Sequence, residues 1–172
     1  MLSTYKQLCQ EHGYFTRLVS VSLPVEYAPY KPLHDQEFLQ LGQASQALHV
    51  PWEVFYGKER EDVILKALSE IYKKLDRLEQ YIHERDMEYI ALEDRINVSV
   101  LGHGVLGVRE QVFIVDTLYY MRLKFPHMPY KRIALMARAF DPKMLSIERM
   151  HAGDVRDWDS YIVQVELESL KK

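Results

Sequence analysis

From Ile64 to Leu92, apolar residues recur at alternating steps of four and three: Ile64, Leu68, Ile71, Leu75, Leu78, Ile82, Tyr89 and Leu92, interrupted only by Arg85. A mean spacing of 3.5 keeps one seam facing a neighbouring helix, whereas an ordinary surface helix drifts at 3.6 and carries a broader stripe. The pattern predicts a helix that assembles with other helices. With Leu68, Leu75, Ile82 and Tyr89 at a, the d positions are Ile64, Ile71, Leu78, Arg85 and Leu92. Leu at a with Ile at d favours three or four strands over two. Leu65 and Tyr72 at e and Ala67 at g widen the apolar face, while Lys74 and Glu79 remain for charge pairing. The expectation is a parallel homo-tetramer, with a dimer as the smaller alternative. The competing reading, which Arg85 at d favours, is a long amphipathic helix packed on its own domain.

Lys58 to Asp94 contains neither glycine nor proline, which predicts a helix of about 35 residues and about 50 Å. Ahead of it, Leu2 to Glu11 reads as a short helix, and RLVSVSLPVEY reads as a strand in which Pro24 marks an edge or a bulge. Asp35 is placed to cap a helix carrying Phe38, Leu41, Ser45 and Leu48, closed by Pro51. Beyond Ile96 the pattern changes to short β-rich runs: INVSVLGHGVLG, QVFIV, TLYYMRLKFP, KRIALMARAF and KMLSIERM. Such runs suggest a small antiparallel barrel or sheet. From about Asp154 the chain returns to a helix with Trp158, Ile162 and Val165 on one face and Tyr161 beside them, capped by Asp154 or Asp157. The fold class is α+β.

Composition removes several classes of function. The 172 residues are 48% apolar and 27% charged with a net charge of -3, ordinary for a globular chain. Basic residues are spread along the sequence, so no electrostatic footprint for nucleic acid appears. Cys9 is the only cysteine, which rules out an internal disulfide framework or a cysteine zinc site and fits a reducing compartment. No apolar run approaches the roughly 20 residues of a membrane span. No membrane insertion and a cytoplasmic location are expected.

Gly102, Gly104 and Gly107 spell G-x-G-x-x-G after a strand, the pattern of a dinucleotide fold. An oxidoreductase reading would rest on these glycines. Against it, the acidic residue expected about 20 positions later is replaced by Lys124, Phe125 and Pro126, and a strand turning in a small barrel explains the same letters. The seven histidines are isolated, without metal-ligand spacing. Asp154, Asp157 and Asp159 lack the glycine and glutamate of a calcium loop. No nucleophile motif is present, so the chain is expected to be non-enzymatic and to need no cofactor.

Asn97 to Gly102, Asn-Val-Ser-Val-Leu-Gly, fits D/N-x-S-x-x-G, and the segments LYYMRLKFP, RIALMARAF, MLSIERM and DWDSYIVQVELESL follow it in order. In this layout the C-terminal part resembles a PilZ domain, a small β-barrel with a C-terminal helix that typically receives cyclic di-GMP. The resemblance implies an atypical arrangement. Residues 1–34 would supply an N-terminal helix and the first strand, 35–94 a helical insertion with the heptad helix at 58–94, and 95–172 the rest of the barrel and the closing helix. It also implies Asn97, Ser99, Gly102 and Arg95 as ligand-binding candidates. The family's R-x-x-x-R element occurs nowhere ahead of Asn97; Arg17 and Arg95 stand without a partner four residues away. Forked guanidinium contacts carry much of such binding, so lost or weak cyclic di-GMP binding is expected. The implied function is an oligomeric adaptor that meets an unidentified protein partner; the alternative is a genuine cyclic di-GMP receptor with a divergent site.

Overall fold

The computed structural model describes residues 2–46 and 61–170. In chain order the elements are α1 (Leu2–Glu11), β1 (Leu18–Pro29), α2 (His34–Gln46), α3 (Glu61–Asp86), β2 (Asp94–Gly102), β3 (Val105–Val108), β4 (Leu118–Leu123), β5 (Ile133–Asp141), β6 (Met144–Met150) and α4 (Ala152–Leu170). The six strands close an antiparallel barrel in the order β1-β2-β3-β6-β5-β4.

Side chains alternate across each strand, and here both faces are used. Tyr119, Met121 and Leu123 of β4 and Ile133, Leu135 and Ala137 of β5 enter the barrel core, while Tyr120, Ala134 and Met136 face outward onto α2. Two covered faces are why LYYMRL and IALMARAF read as nearly continuous apolar runs. Trp158, Tyr161 and Ile162 of α4 complete the interior cluster, and Trp158 Nε1 donates 3.0 Å to the Gly102 carbonyl. On the outer surface α1 packs Tyr5 and Cys9 against Val100, Val105 and Met144.

Pro24 sits beside a bulge in β1, where the register with β2 shifts between Ser20 and Leu23. Pairing of β1 with β4 begins one residue later, at Val25, so the proline's missing N–H breaks no ladder on that side. The three glycines of G-x-G-x-x-G belong to the β2–β3 hairpin. Gly104 turns it with φ of +77°, a conformation that glycine adopts without steric cost. At Gly107 a Cβ would run into Met144 Sδ. Strand geometry and close packing, not a pyrophosphate, account for them.

Four expectations need correction. QVFIV is a loop: Phe113 alone is buried, edge-on to Tyr27 at 5.4 Å, while Val112 and Ile114 face solvent. The heptad helix ends at Asp86, not Asp94; its start was expected at Lys58, which lies outside the described residues, as do Leu48 and Pro51. Tyr89 and Leu92 have therefore left the helix and pack with Met87 on the Phe38, Leu41 and Tyr120 cluster. Asp154 and Asp157 do not cap α4, which starts at Ala152. Asp154 is fully buried and takes Lys131 Nζ at 2.6 Å, and Asp157 takes the same ammonium at 2.5 Å. Asp35 lies in the first turn of α2, where it accepts 2.7 Å from the Tyr30 hydroxyl.

Candidate functional site

Along α3, Ile64, Leu68, Ile71, Leu75, Leu78 and Ile82 are each between 46% and 65% exposed. At 3.6 residues per turn they fall within an arc of about 80°, so they form one stripe. A neighbouring arc is shielded from water: Ser69 is buried, and Leu65, Tyr72 and Asp76 are half-buried. Arg77 lies 5.8 Å from the Tyr130 ring. The helix thus has one edge shielded from water and presents its heptad edge to solvent. Arg85, also exposed, continues that edge near the C-terminal end.

The four ligand candidates on β2 do not converge. Arg95 is exposed and pairs with Glu26 directly across the sheet at 2.9 Å. Asn97 donates 3.0 Å to Ser22 Oγ at the β1 bulge. Ser99 is buried beneath α1: its hydroxyl donates to the Gly107 carbonyl at 3.3 Å and lies 3.4 Å from the Tyr5 hydroxyl, which itself donates to Val108. Gly102 is taken up by Trp158. Arg95 and Ser99 are thus separated, one in a surface cleft and the other under a helix.

That cleft, of about 260 Å³, lies where β1, β2 and β4 meet the start of β5. Arg95, Arg122, Lys124 and Arg132 line it with Glu26, and Val25 and Leu123 form its apolar part. Glu26 gathers three guanidiniums: Arg95 at 2.9 Å, Arg122 at 2.9 Å and Arg132 at 3.6 Å. Arg122 occupies an outward position of β4 that α2 covers, so its charge needs a partner away from water. Glu37 of α2 provides it at 2.9 Å; the two side chains are 4% and 3% exposed. Glu37 also accepts from the Tyr120 hydroxyl at 2.7 Å and the Ile90 N–H at 2.6 Å. Burial, then the bond to Glu37, pushes the Tyr120 phenol far above its ordinary range, so it remains a donor. The Tyr89 ring completes the cluster, 4.0 Å from the Arg132 guanidinium and 5.2 Å from that of Arg122.

No protein-family model, curated protein or solved structure matches the chain. Among the described residues no cluster of His, Cys, Asp or Glu has the arrangement to hold a metal ion, and no helix is long and apolar enough to cross a membrane.

Glu26, Glu37, Arg122, Lys124 and Arg132 escaped the sequence reading. The signal was present in part, because Arg122 interrupts an apolar strand and Glu26 sits in the apolar run SLPVEYAP. A charge inside a strand with both faces covered needs a partner, but the partner's identity depends on barrel closure.

His34 gives this region a pH dependence. It is buried, stacks on Tyr120 at 4.8 Å, and its Nδ1 accepts 3.0 Å from the Lys31 N–H. Burial lowers its pKa from the ordinary 6.5, outweighing the opposing pull of Glu37. Below that ordinary value the unfolded chain binds a proton that the folded chain refuses, so stability falls with acidification until the lowered folded value is reached. His34→Asn keeps an acceptor for the Lys31 N–H and should flatten the urea-midpoint profile below about pH 6.5. An unchanged slope would place the titration elsewhere.

Proposed function

We propose that the chain is a non-enzymatic, PilZ-type signalling adaptor, assembled through α3 into a parallel homo-tetramer that displays several barrels to a protein partner in cyclic di-GMP-related pathways. The observation that carries this reading is the exposed stripe at Ile64, Leu68, Ile71, Leu75, Leu78 and Ile82. Six large apolar side chains in one solvent-facing line at heptad spacing are costly unless another surface covers them. A second copy of the same helix matches that spacing knob for hole. Charge supports a parallel pairing: Lys74 at g and Glu79 at the following e stand five residues apart, the relation that brings g of one helix to e of its neighbour. Leu68 and Leu75 at a with Ile64 and Ile71 at d favour a higher-order bundle over a dimer.

The closed antiparallel barrel with α4 completing its core supports the PilZ-type reading. Tyr5 over Ser99 supports lost or weak cyclic di-GMP binding, because α1 covers the hydroxyl that the motif would offer to a ligand. Display of several barrels on one bundle raises avidity for a multivalent partner without adding a contact. Light scattering at micromolar concentration tests the assembly. The expected mass is four times the 20.4 kDa of the chain, and a monomeric mass would end this reading.

The alternative, a genuine receptor with a divergent site, draws on Arg95 and the other cations of its cleft. Calorimetric titration with cyclic di-GMP to several hundred micromolar separates the two readings. Saturable binding favours the receptor; absence of heat and of any thermal shift favours the adaptor.

A further inference from the structure

The Arg95–Arg122–Arg132 cleft has the features of an anion site. Its guanidiniums come from three separate elements, β2, β4 and the segment entering β5, and approach Glu26 from different sides. Four cations and one carboxylate line it. Arg122, although 4% exposed, reaches the lining with its charge oriented by Glu37 behind it. A guanidinium held in this way loses little freedom when it meets a ligand. Arg95, by contrast, is 81% exposed, so the mouth of the cleft is cationic and open to solvent.

We propose that this cleft binds a compact phosphate-bearing small molecule, its phosphate oxygens taking Arg95, Arg132 and Lys124 at the mouth while Arg122 and Glu26 form the preorganised floor. Guanidinium forks accommodate both phosphate and carboxylate. Phosphate suits this site better because a tetrahedral anion offers acceptors to cations that converge from several directions, and Glu26 already supplies a planar carboxylate. Size restricts the rest of the ligand. Small-molecule pockets start near about 300 Å³, and a cleft of about 260 Å³ takes a phosphate with a small organic group rather than a dinucleotide. The proposal is independent of the assembly through α3, whose stripe contributes no residue to the cleft.

Isothermal titration of the purified full-length chain with inorganic pyrophosphate, at low ionic strength, tests it. Saturable binding is expected, weakened about tenfold or more by Arg95→Gln and by Lys124→Gln, since each removes a charge-assisted contact. Arg17→Gln serves as a control, because Arg17 is exposed and pairs with Glu166 of α4 rather than with the cleft. Equal weakening in that control would reveal non-specific attraction and overturn the proposal, as would the absence of saturable heat. Citrate binding as tightly as pyrophosphate would overturn the phosphate assignment. Cyclic di-GMP binding without pyrophosphate binding would overturn the compact ligand. Both test positions are at the cleft mouth, and an unchanged thermal midpoint for either variant suffices to read its affinity.

Discussion

Leu75→Asp should convert the proposed assembly to monomers while leaving the barrel folded. In the isolated chain Leu75 is 58% exposed, so an aspartate there meets water and costs only helix propensity, at most about 0.7 kcal/mol. In the assembled seam the same carboxylate would be buried in every copy with no cation opposite, at several kcal/mol per copy. The two effects are separable: sedimentation should report the mass of one chain, and circular dichroism should remain that of the wild type. Leu78→Asp, at the adjacent d position, should do the same. Lys73→Glu, at the outermost f position, should leave the mass unchanged. If both aspartate variants keep the wild-type mass, the seam lies elsewhere. Arg85→Leu should tighten the assembly by replacing a charged d residue with an apolar one.

Glu37→Ala should be strongly destabilising, at about 3–5 kcal/mol. Glu37 joins α2, β4 and the segment after α3 through Arg122, Tyr120 and the Ile90 N–H. Its removal leaves a guanidinium that is 4% exposed without its nearest buried counter-charge, together with a phenol and a backbone donor that lose their acceptor. Against a typical total of about 5–15 kcal/mol, such a loss should be plain in the urea midpoint. Glu37→Met combined with Arg122→Met should recover only the part due to the guanidinium, because the Tyr120 hydroxyl and the Ile90 N–H still lose their acceptor. A loss below about 1 kcal/mol for Glu37→Ala would mean that Glu26, at 2.9 Å, is sufficient counter-charge for Arg122.

Local patterns were legible where one interaction dominates. The helix at Leu2–Glu11 and the strand bulging near Pro24 follow from apolar spacing and proline geometry. QVFIV misled because β-propensity reports how residues fit a half-buried sheet, and here a single aromatic, Phe113, anchors a loop. The end of α3 at Asp86 had no breaker to announce it. Tertiary gains decide it: beyond Asp86 the chain exchanges further helix for the Ile90 N–H bond to Glu37, the Tyr89 ring against Arg132, and burial of Met87 and Leu92 on the α2 cluster. Position alone makes caps of the aspartates before Trp158, but Lys131, distant in sequence, recruits Asp154 and Asp157 instead.

The candidate site divides in the same way. The α3 stripe is a property of consecutive residues on one helix, and periodicity alone reveals it, since a 3.5-residue spacing is a geometric statement about a single element. The anion cleft is not of that kind. Glu26, Arg95, Arg122 and Arg132 lie on different elements, and only the pairing of β1 with both β2 and β4 sets Glu26 opposite Arg95 on one side and Arg122 on the other. Spacing along the chain determined most of the helices and strands and the exposed apolar stripe of α3. Closure of the barrel decided which charges meet, because a strand's partners on its two sides depend on global register, and no local pattern encodes that register.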